Sequence, residues 1–498
     1  MKIFDRKNFI EKYNNKTPQI ISTQFIADTD TPVSALLKIS NNQKYSFLLE
    51  SVEGGDQRGR YSLLGCDPDL IWKVKDGKVT ILTDSEYLRE NTKEILNPIQ
   101  SLRKILSLSK ISRNIDETPY PILVGYLGYP MIQYMEKIIL NNPDPLMIPD
   151  ALMIRPRIVA VFDNIKDTIN IMTVVYPEKN INAENALKIA ENQIQNNIDK
   201  LKSLTKKNES NKNKTLKKNI KVKSNYSKNN YLQIIEKAKK YICAGDIFQV
   251  VTSQRFQCEY VLNAKSLYRS LRRLNPSPFL VNFNFDDIGL VASSPEILVR
   301  VRNGKVIIRP IAGTRKRGKT KHEDKKLSNE LINDKKELAE HLMLLDLGRN
   351  DVGRVSKIGT VNVTEKMIIE YYSHVMHIVS NVEGSLDKKK DSIDALISGF
   401  PAGTVSGAPK IRSMEIIEEL ENVNRSFYGG AMGYFDSNGQ MDTCISLRTG
   451  LVKDNKLYIQ AGGGVVYDSN PEKEYQETIN KAQAVIDAAI DSYKYLNS

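Results

Sequence analysis

Two pairs of glutamates are the residues with the most to explain. Glu337 and Glu340 lie three apart in Lys335–Asp351 (KKELAEHLMLLDLGRND), and Glu474 and Glu477 lie three apart near the C-terminal end. Residues at i,i+3 share a helix face, where like charges repel slightly. Buried carboxylates are costly unless paired or bound to a metal. Each pair alone also reads as a solvated acidic edge, and Glu474 and Glu477 as acids complementing a helix N-terminus. That role leaves unexplained why Lys481, Val485 and Ala488 continue their stripe. Two such helices facing each other could hold one Mg²⁺, which takes hard oxygen ligands and keeps several waters for exchange. A carboxylate-bearing substrate would be the natural bridging ligand.

Other residues fit that chemistry. Arg448, in an apolar strand-like run, is a candidate carboxylate fork or one half of a cross-strand ion pair. Gly462, Gly463 and Gly464 follow a strand and read either as a plain turn or as backbone N–H groups open to an anion. There are four histidines. His377, in YYSHVMHIVSNVEG, reads as a buried, hydrogen-bonded histidine or as a general base. His341 neighbours the first glutamate pair.

The elements that must position these residues are legible as patterns. Leu338, Leu342 and Leu345 predict a buried face for the helix over Lys335–Asp351. Asn470 as cap and Pro471 at the first helical position start a helix running to Tyr493. Strands are expected at Tyr45–Glu50, Arg60–Leu64, Ile247–Gln257, Phe279–Phe285, Gly289–Ser293, Ile297–Arg302, Val306–Ile311, Lys357–Val363, Tyr428–Phe435, Thr443–Val452 and Lys456–Ala461. Ile154–Val175 reads as a hairpin. Helices are expected at Glu184–Leu204, Asn229–Ala244, Ala264–Leu274, Asp391–Ile397 and Ile411–Leu420. Strand blocks broken by helices and mostly linked by hairpins argue α+β with antiparallel sheets.

Composition limits the function classes. The chain has 498 residues, 41% hydrophobic and 26% charged, enough for two domains with a large core. The N-terminal stretch has no apolar signal-peptide core, and no apolar run reaches the about 18 residues of a membrane span. Four scattered cysteines suit a reducing cytoplasm. The net charge of +13 suggests nucleic acid until it is located. Lys202 to Lys228 carries ten lysines against one glutamate, so most of the excess is one low-complexity tract. That is a solvated linker over 201–228, not a basic face for nucleic acid. It separates an N-terminal domain (1–200) from a second domain (229–498).

Taken together, the motifs resemble the large component of anthranilate synthase, a chorismate-utilising enzyme. The matching stretches include LLES (Leu48–Ser51), GDIFQVV (Gly245–Val251), NPSPF (Asn275–Phe279), SSPE (Ser293–Glu296), PIAGTR (Pro310–Arg315), ELAEHLML (Glu337–Leu344), HVMH (His374–His377), FPAGTVSGAPK (Phe400–Lys410), YGGAMGY (Tyr428–Tyr434), ISLRTG (Ile445–Gly450) and QAGGGVV (Gln460–Val466). They run in order through nearly the whole chain outside the linker.

The resemblance implies antiparallel sheets packed as an α/β/β/α sandwich. It implies a Mg²⁺-dependent lyase that opens tryptophan biosynthesis, forming anthranilate and pyruvate through aminodeoxyisochorismate. Glu340 and Glu477 would bind Mg²⁺, supported by Glu337 and Glu474, with His341 left to packing. Chorismate would meet Gly313, Thr314, Tyr428, Arg448, Gly462, Gly463, Gly464 and Lys481. Glu296 would protonate the departing C4 hydroxyl, and His377 would take the C2 proton, with Thr314 beside the ring. Water-adding relatives (isochorismate and salicylate synthases) look to have a lysine where this chain has Gln249. Aminodeoxychorismate synthases that use a covalent lysine read PIKGT where this chain has Ala312. Both departures favour ammonia as nucleophile, followed by pyruvate elimination. No glutaminase is recognisable, so ammonia from glutamine implies a separate amidotransferase subunit. Glu50, Ser51, Pro278, Phe279 and Leu280, with Asn275, Pro276 and Ser277, match the family's tryptophan feedback site.

Overall fold

A computed structural model describes residues 5–41, 43–53, 57–94, 96–111, 119–203, 220–372 and 375–495. Every strand pairing in it is antiparallel, and the helices lie outside the sheets, so the α+β expectation holds. Two long neighbours, Tyr61–Lys75 and Ala151–Asp163, organise the sheets. Their register shifts between Pro68 and Leu70, beside Asp67 at φ +53°. One extra residue on one strand bends the pair, and each half then serves a different sheet. From the first half, pairing runs through Tyr45–Glu50, Phe279–Phe285, Ile288–Ser294, Thr449–Lys453 and Lys456–Val465 to Gln249–Glu259. From the second half it runs through Pro121–Leu127, Ala431–Asp436, Met441–Ile445, Ile297–Arg302 and Lys305–Ile308 to Val375–Ser385. Among the described residues these pairings never return to their start, so the sheets are open.

Side-chain alternation turns these two sheets into layers. Phe47, Leu63, Val124, Ile154, Val281 and Phe283 point into a core between the sheets. Their neighbours Leu48, Leu64 and Leu280 point the other way, under Ala183–Lys202, Ala264–Leu274 and Pro471–Asp491. Leu70, Trp72, Leu123 and Leu127 point outward from the second sheet, into a core shared with Pro98–Leu108, Lys335–Gly353 and Ser392–Gly399. The order is therefore helix, sheet, sheet, helix.

Strands from both sides of the lysine tract pair directly, Glu50 opposite Leu280 and Gly433 opposite Gly125. Of the expected linker, Lys223 and Ser224 pair with Gln257 and Phe256, and a helix begins at Lys228. Residues 204–219 of it lie outside the described residues.

Several expectations are corrected. The strand expected at Thr443–Val452 is two, Met441–Ile445 and Thr449–Lys453, because Arg448 sits at φ +47° between them. Lys357–Val363 gives way to Asn362–Tyr371. Arg60–Leu64 is the start of a fifteen-residue strand. The Lys335–Gly353 helix does not bury the Leu338, Leu342 and Leu345 stripe, since Leu342 is 47% exposed. It buries His341, Leu344, Leu345, Gly348 and Val352, and this stripe continues into Glu337 and Glu340. The acids therefore face inward, against Ile311–Lys316 and Val375–Ser385.

Candidate active site

The two acidic helices start at caps that fix where their glutamates stand. The Asp334 carboxylate accepts the N–H groups of Lys336 and Glu337, and the Asn470 side chain accepts that of Lys473. Each E-x-x-E motif therefore begins within the first turns of its helix. The helices are tied near their starts by Lys336 and Asp468, 3.2 Å apart. Burial raises the Glu340 carboxyl above its ordinary value, and the charges of Glu337 and Glu477 raise it further. Burial likewise raises Glu474, with Glu477 adding to it. Glu337 is held by Arg315 at 2.9 Å, and Glu477 by Lys481 at 2.7 Å. Glu340 and Glu477 therefore repel each other across the two helices. Among the described residues, no three such side chains close into a ready-made metal cage. A Mg²⁺ ion held by one or two carboxylates, with water and ligand oxygens completing its shell, needs no such cage.

Gly462, Gly463 and Gly464 lie within the strand Lys456–Val465, not in a turn after it. Their neighbours in register are Ser253, Thr252 and Val251. Val251 gives its N–H to the Ser406 carbonyl, and Ser253 gives its own to Glu421. Gly462 and Gly464 are thus in non-hydrogen-bonded pairs and turn their polar backbone to the opposite side. On that side the strand Thr449–Lys453 covers residues only up to Ile459, opposite Gly450. The left-handed backbone at Arg448 leads the chain away there, leaving the glycine backbone without a strand partner on that side. The Gly462 carbonyl takes the Lys481 ammonium at 3.0 Å. A side chain at Gly462 would meet the Thr252 carbonyl at 2.7 Å and the Tyr428 hydroxyl at 2.8 Å. One at Gly464 would meet Gln249 Nε2 at 2.6 Å.

Arg448 stands at this gap, and the cross-strand ion pair is not found for it among the described residues. Burial lowers its pKa, offset in part by Tyr372. A cation held this way suits an incoming carboxylate. Lys481 and Arg448 repel each other, so their field is shared.

His377 and Thr314 are cross-strand neighbours in register. His377 Nδ1 donates to the Gly313 carbonyl at 2.9 Å, with Thr314 Oγ1 at 3.2 Å. A carbonyl only accepts, so the proton is on Nδ1 and Nε2 is a free base. Burial pushes its pKa down to about 4, the Gly313 hydrogen bond opposing and Arg448 assisting, and the ring is neutral near pH 7. Tyr372 packs its ring edge against it at 5.3 Å. Gly313 holds φ +62° on the bulge that offsets this register, a conformation that favours glycine. His341 lies apart from the charge cluster, its Nε2 2.7 Å from Ser380 Oγ, buried and with its pKa pushed down to about 4 by desolvation.

Glu296 enters from the second sheet, just before Ile297–Arg302. It is 7% exposed, and burial pushes its pKa up to about 8, against the Thr404 hydrogen bond and the Lys481 charge. Thr404 Oγ1 lies 3.1 Å from both carboxyl oxygens. A carboxyl that stays protonated near neutrality can give a proton. Sequence reading singled out the loop holding Thr404 but not this residue. It also passed over Arg315 and Tyr372, whose partners are brought to them only by strand register.

Of the residues expected around tryptophan, Glu50 and Leu280 meet in register. Glu50 is buried, and its carboxylate accepts from Tyr268 at 2.5 Å and from Arg272 at 2.9 and 2.8 Å. Leu280 is its register partner, Phe279 and Pro278 follow, and the Asn275 amide donates to Ser293 Oγ at 3.2 Å. A side chain at Gly59 would overlap Ser51 Oγ, so this turn closes directly on the serine.

Comparisons with known proteins show the family. The family described as chorismate binding enzyme matches residues 67–487. The chain is 50% identical over 477 residues to anthranilate synthase component 1 of Cereibacter sphaeroides, covering 95% of each chain. It is 42% identical over 475 residues to the Aquifex aeolicus protein of the same name, covering 94% of this chain and 93% of that one. The crystal structure of anthranilate synthase component I from Streptococcus pneumoniae superposes with a TM-score of 0.74 at 36% identity, over 86% of this chain and 92% of that one. A menaquinone-specific isochorismate synthase from Escherichia coli, 19% identical, superposes with a TM-score of 0.70 and speaks for the fold alone.

Proposed function

The chain belongs to the chorismate binding enzymes, and from that premise we propose that it converts chorismate and ammonia to anthranilate, pyruvate and water. The observation that carries the reading is one shared field. Glu296, protonated near neutrality, feels Lys481, while the neutral base His377 feels Arg448. Lys481, Arg448, Tyr428 and the amides of the glycine strand offer two carboxylates their counter-charges. Thr314 and Gly313 border the ring through the base they hold. Glu296 gives its proton to the C4 hydroxyl as that group leaves and ammonia adds at C2. His377 Nε2 then takes the C2 proton as pyruvate leaves, and the ring becomes aromatic.

Mg²⁺ suits the residues present: Glu340 and Glu477 would hold it, with Glu337 and Glu474 beside them. When bound it supplies charge neutralisation for a substrate carboxylate. Gln249, 3% exposed, supports ammonia over water as nucleophile, because an amide cannot serve as the base that water needs. Ammonia is delivered by a separate glutamine amidotransferase subunit. Tryptophan inhibits from the site around Glu50, Ser51, Pro278, Phe279 and Leu280. The enzyme works in the cytoplasm. No helix among the described residues is long and apolar enough to cross a membrane.

Purified chain with chorismate, Mg²⁺ and ammonium should release fluorescent anthranilate and equimolar pyruvate. Accumulated isochorismate or aminodeoxychorismate would overturn the assignment. Glutamine should replace ammonium only when the second subunit is added.

A further inference from the structure

We propose that Arg425, locked to Glu421, is a positioning residue that sets the proton donor Glu296 against the carboxylate-binding strand. The proposal rests on the reading above. Arg425 and Glu421 form an ion pair with side chains only 1% and 3% exposed. The guanidinium reaches Glu421 through Nε and Nη2, at 3.0 and 2.6 Å. Its two other hydrogen bonds go to backbones beside proposed active-site groups, and its charge lies over two tyrosine rings. Nη1 donates to the Val405 carbonyl at 2.6 Å, one residue beyond Thr404. Nη2 also donates to the Val251 carbonyl at 2.6 Å, opposite Gly464. The charge lies 5.5 Å over the Tyr428 ring and 5.2 Å over Tyr129. Glu421 completes the clamp by accepting the Ser253 N–H and hydroxyl, both at 2.8 Å, opposite Gly462.

Stripped of water, such an ion pair is costly unless every lone pair and proton is used, and here they are used on the backbones beside Thr404, Gly462 and Gly464. The fork geometry matters more than the charge. Lysine carries one compact ammonium and cannot span carbonyls that diverge on two sides of a planar group. Losing the Val405 bond frees the loop that holds the Thr404 hydroxyl 3.1 Å from both Glu296 oxygens. Arg425 therefore acts on the reaction through Thr404.

A double-mutant cycle tests this, with ammonia as nitrogen source. R425K should lower kcat about tenfold in the wild-type background and less than about twofold in T404V, since the arm it works through is already gone. Equal fold-losses in both backgrounds, or an unchanged kcat for R425K, would overturn the proposal. Should R425K fold poorly by thermal melting, E421Q, which keeps the size but replaces one accepting oxygen by a donor and so loosens the Arg425 fork, is read in the same cycle with the same criterion. E296Q separates the two claims. If its kcat is undiminished, the proton-donor assignment fails; if it falls while the cycle is additive, only the positioning role fails.

Discussion

At the scale of single residues, the proposed site treats an acid and a base in opposite ways. Burial raises Glu296 to about 8 and lowers His377 to about 4, so both are neutral at pH 7, one able to give a proton and the other to take one. At fixed free ammonia, kcat/KM should show no histidine limb between pH 5 and 8, and His377→Gln should lower kcat by about 10² or more while aminodeoxyisochorismate accumulates, seen by chromatography. For Glu296 the sign runs against the usual carboxylate. Its proton is held more tightly folded than unfolded, so stability falls as pH rises from about 4.5 through about 8. Glu296→Gln should therefore be more stable than wild type at pH 9 and not at pH 4, as chemical denaturation would show.

Elements decide which of these groups can meet. The glycine strand is usable because Arg448 ends one strand early and the neighbouring pairs are non-hydrogen-bonded. A methyl group at Gly462 would collide with the Thr252 carbonyl and the Tyr428 hydroxyl. Gly462→Ala should raise KM for chorismate about tenfold or more, with a smaller loss in kcat, in steady-state assays. The acidic helices act as one unit in the same way. Glu340→Gln removes one of two facing carboxylates and should weaken Mg²⁺ binding about tenfold, measured by calorimetry without substrate as well as by Mg²⁺-dependent turnover.

The whole molecule couples two sheets through a pair of bent strands. Glu296 comes from one sheet and the glycine strand from the other, so the proposed proton donor and carboxylate site are set relative to each other by how the sandwich closes. The Glu50 cluster sits where the strand Tyr45–Glu50 meets Phe279–Phe285, one strand away from Ser293 and the segment leading to Glu296. In the proposed function tryptophan acts from this place. Ser51→Ala should leave ammonia-dependent turnover within about twofold while inhibition by tryptophan weakens at least about tenfold; unchanged inhibition would place the effector elsewhere.

The sequence alone determined the local rules. The cap at Asn470 with Pro471 at the first helical position, the hairpin in Ile154–Val175 and the strand Phe279–Phe285 follow from short-range chemistry, and ordered motifs pointed to the family. What it could not determine is which stripe of a helix faces inward, because both stripes of Lys335–Gly353 carry leucines and only packing against the sheet chose the acidic one. Nor could it place Thr404 on Glu296, Tyr372 on His377, or Arg425 on the carbonyls of Val405 and Val251. Those contacts join residues from 5 to 174 positions apart. Pairing register and sheet closure, properties of the assembled sandwich, set them.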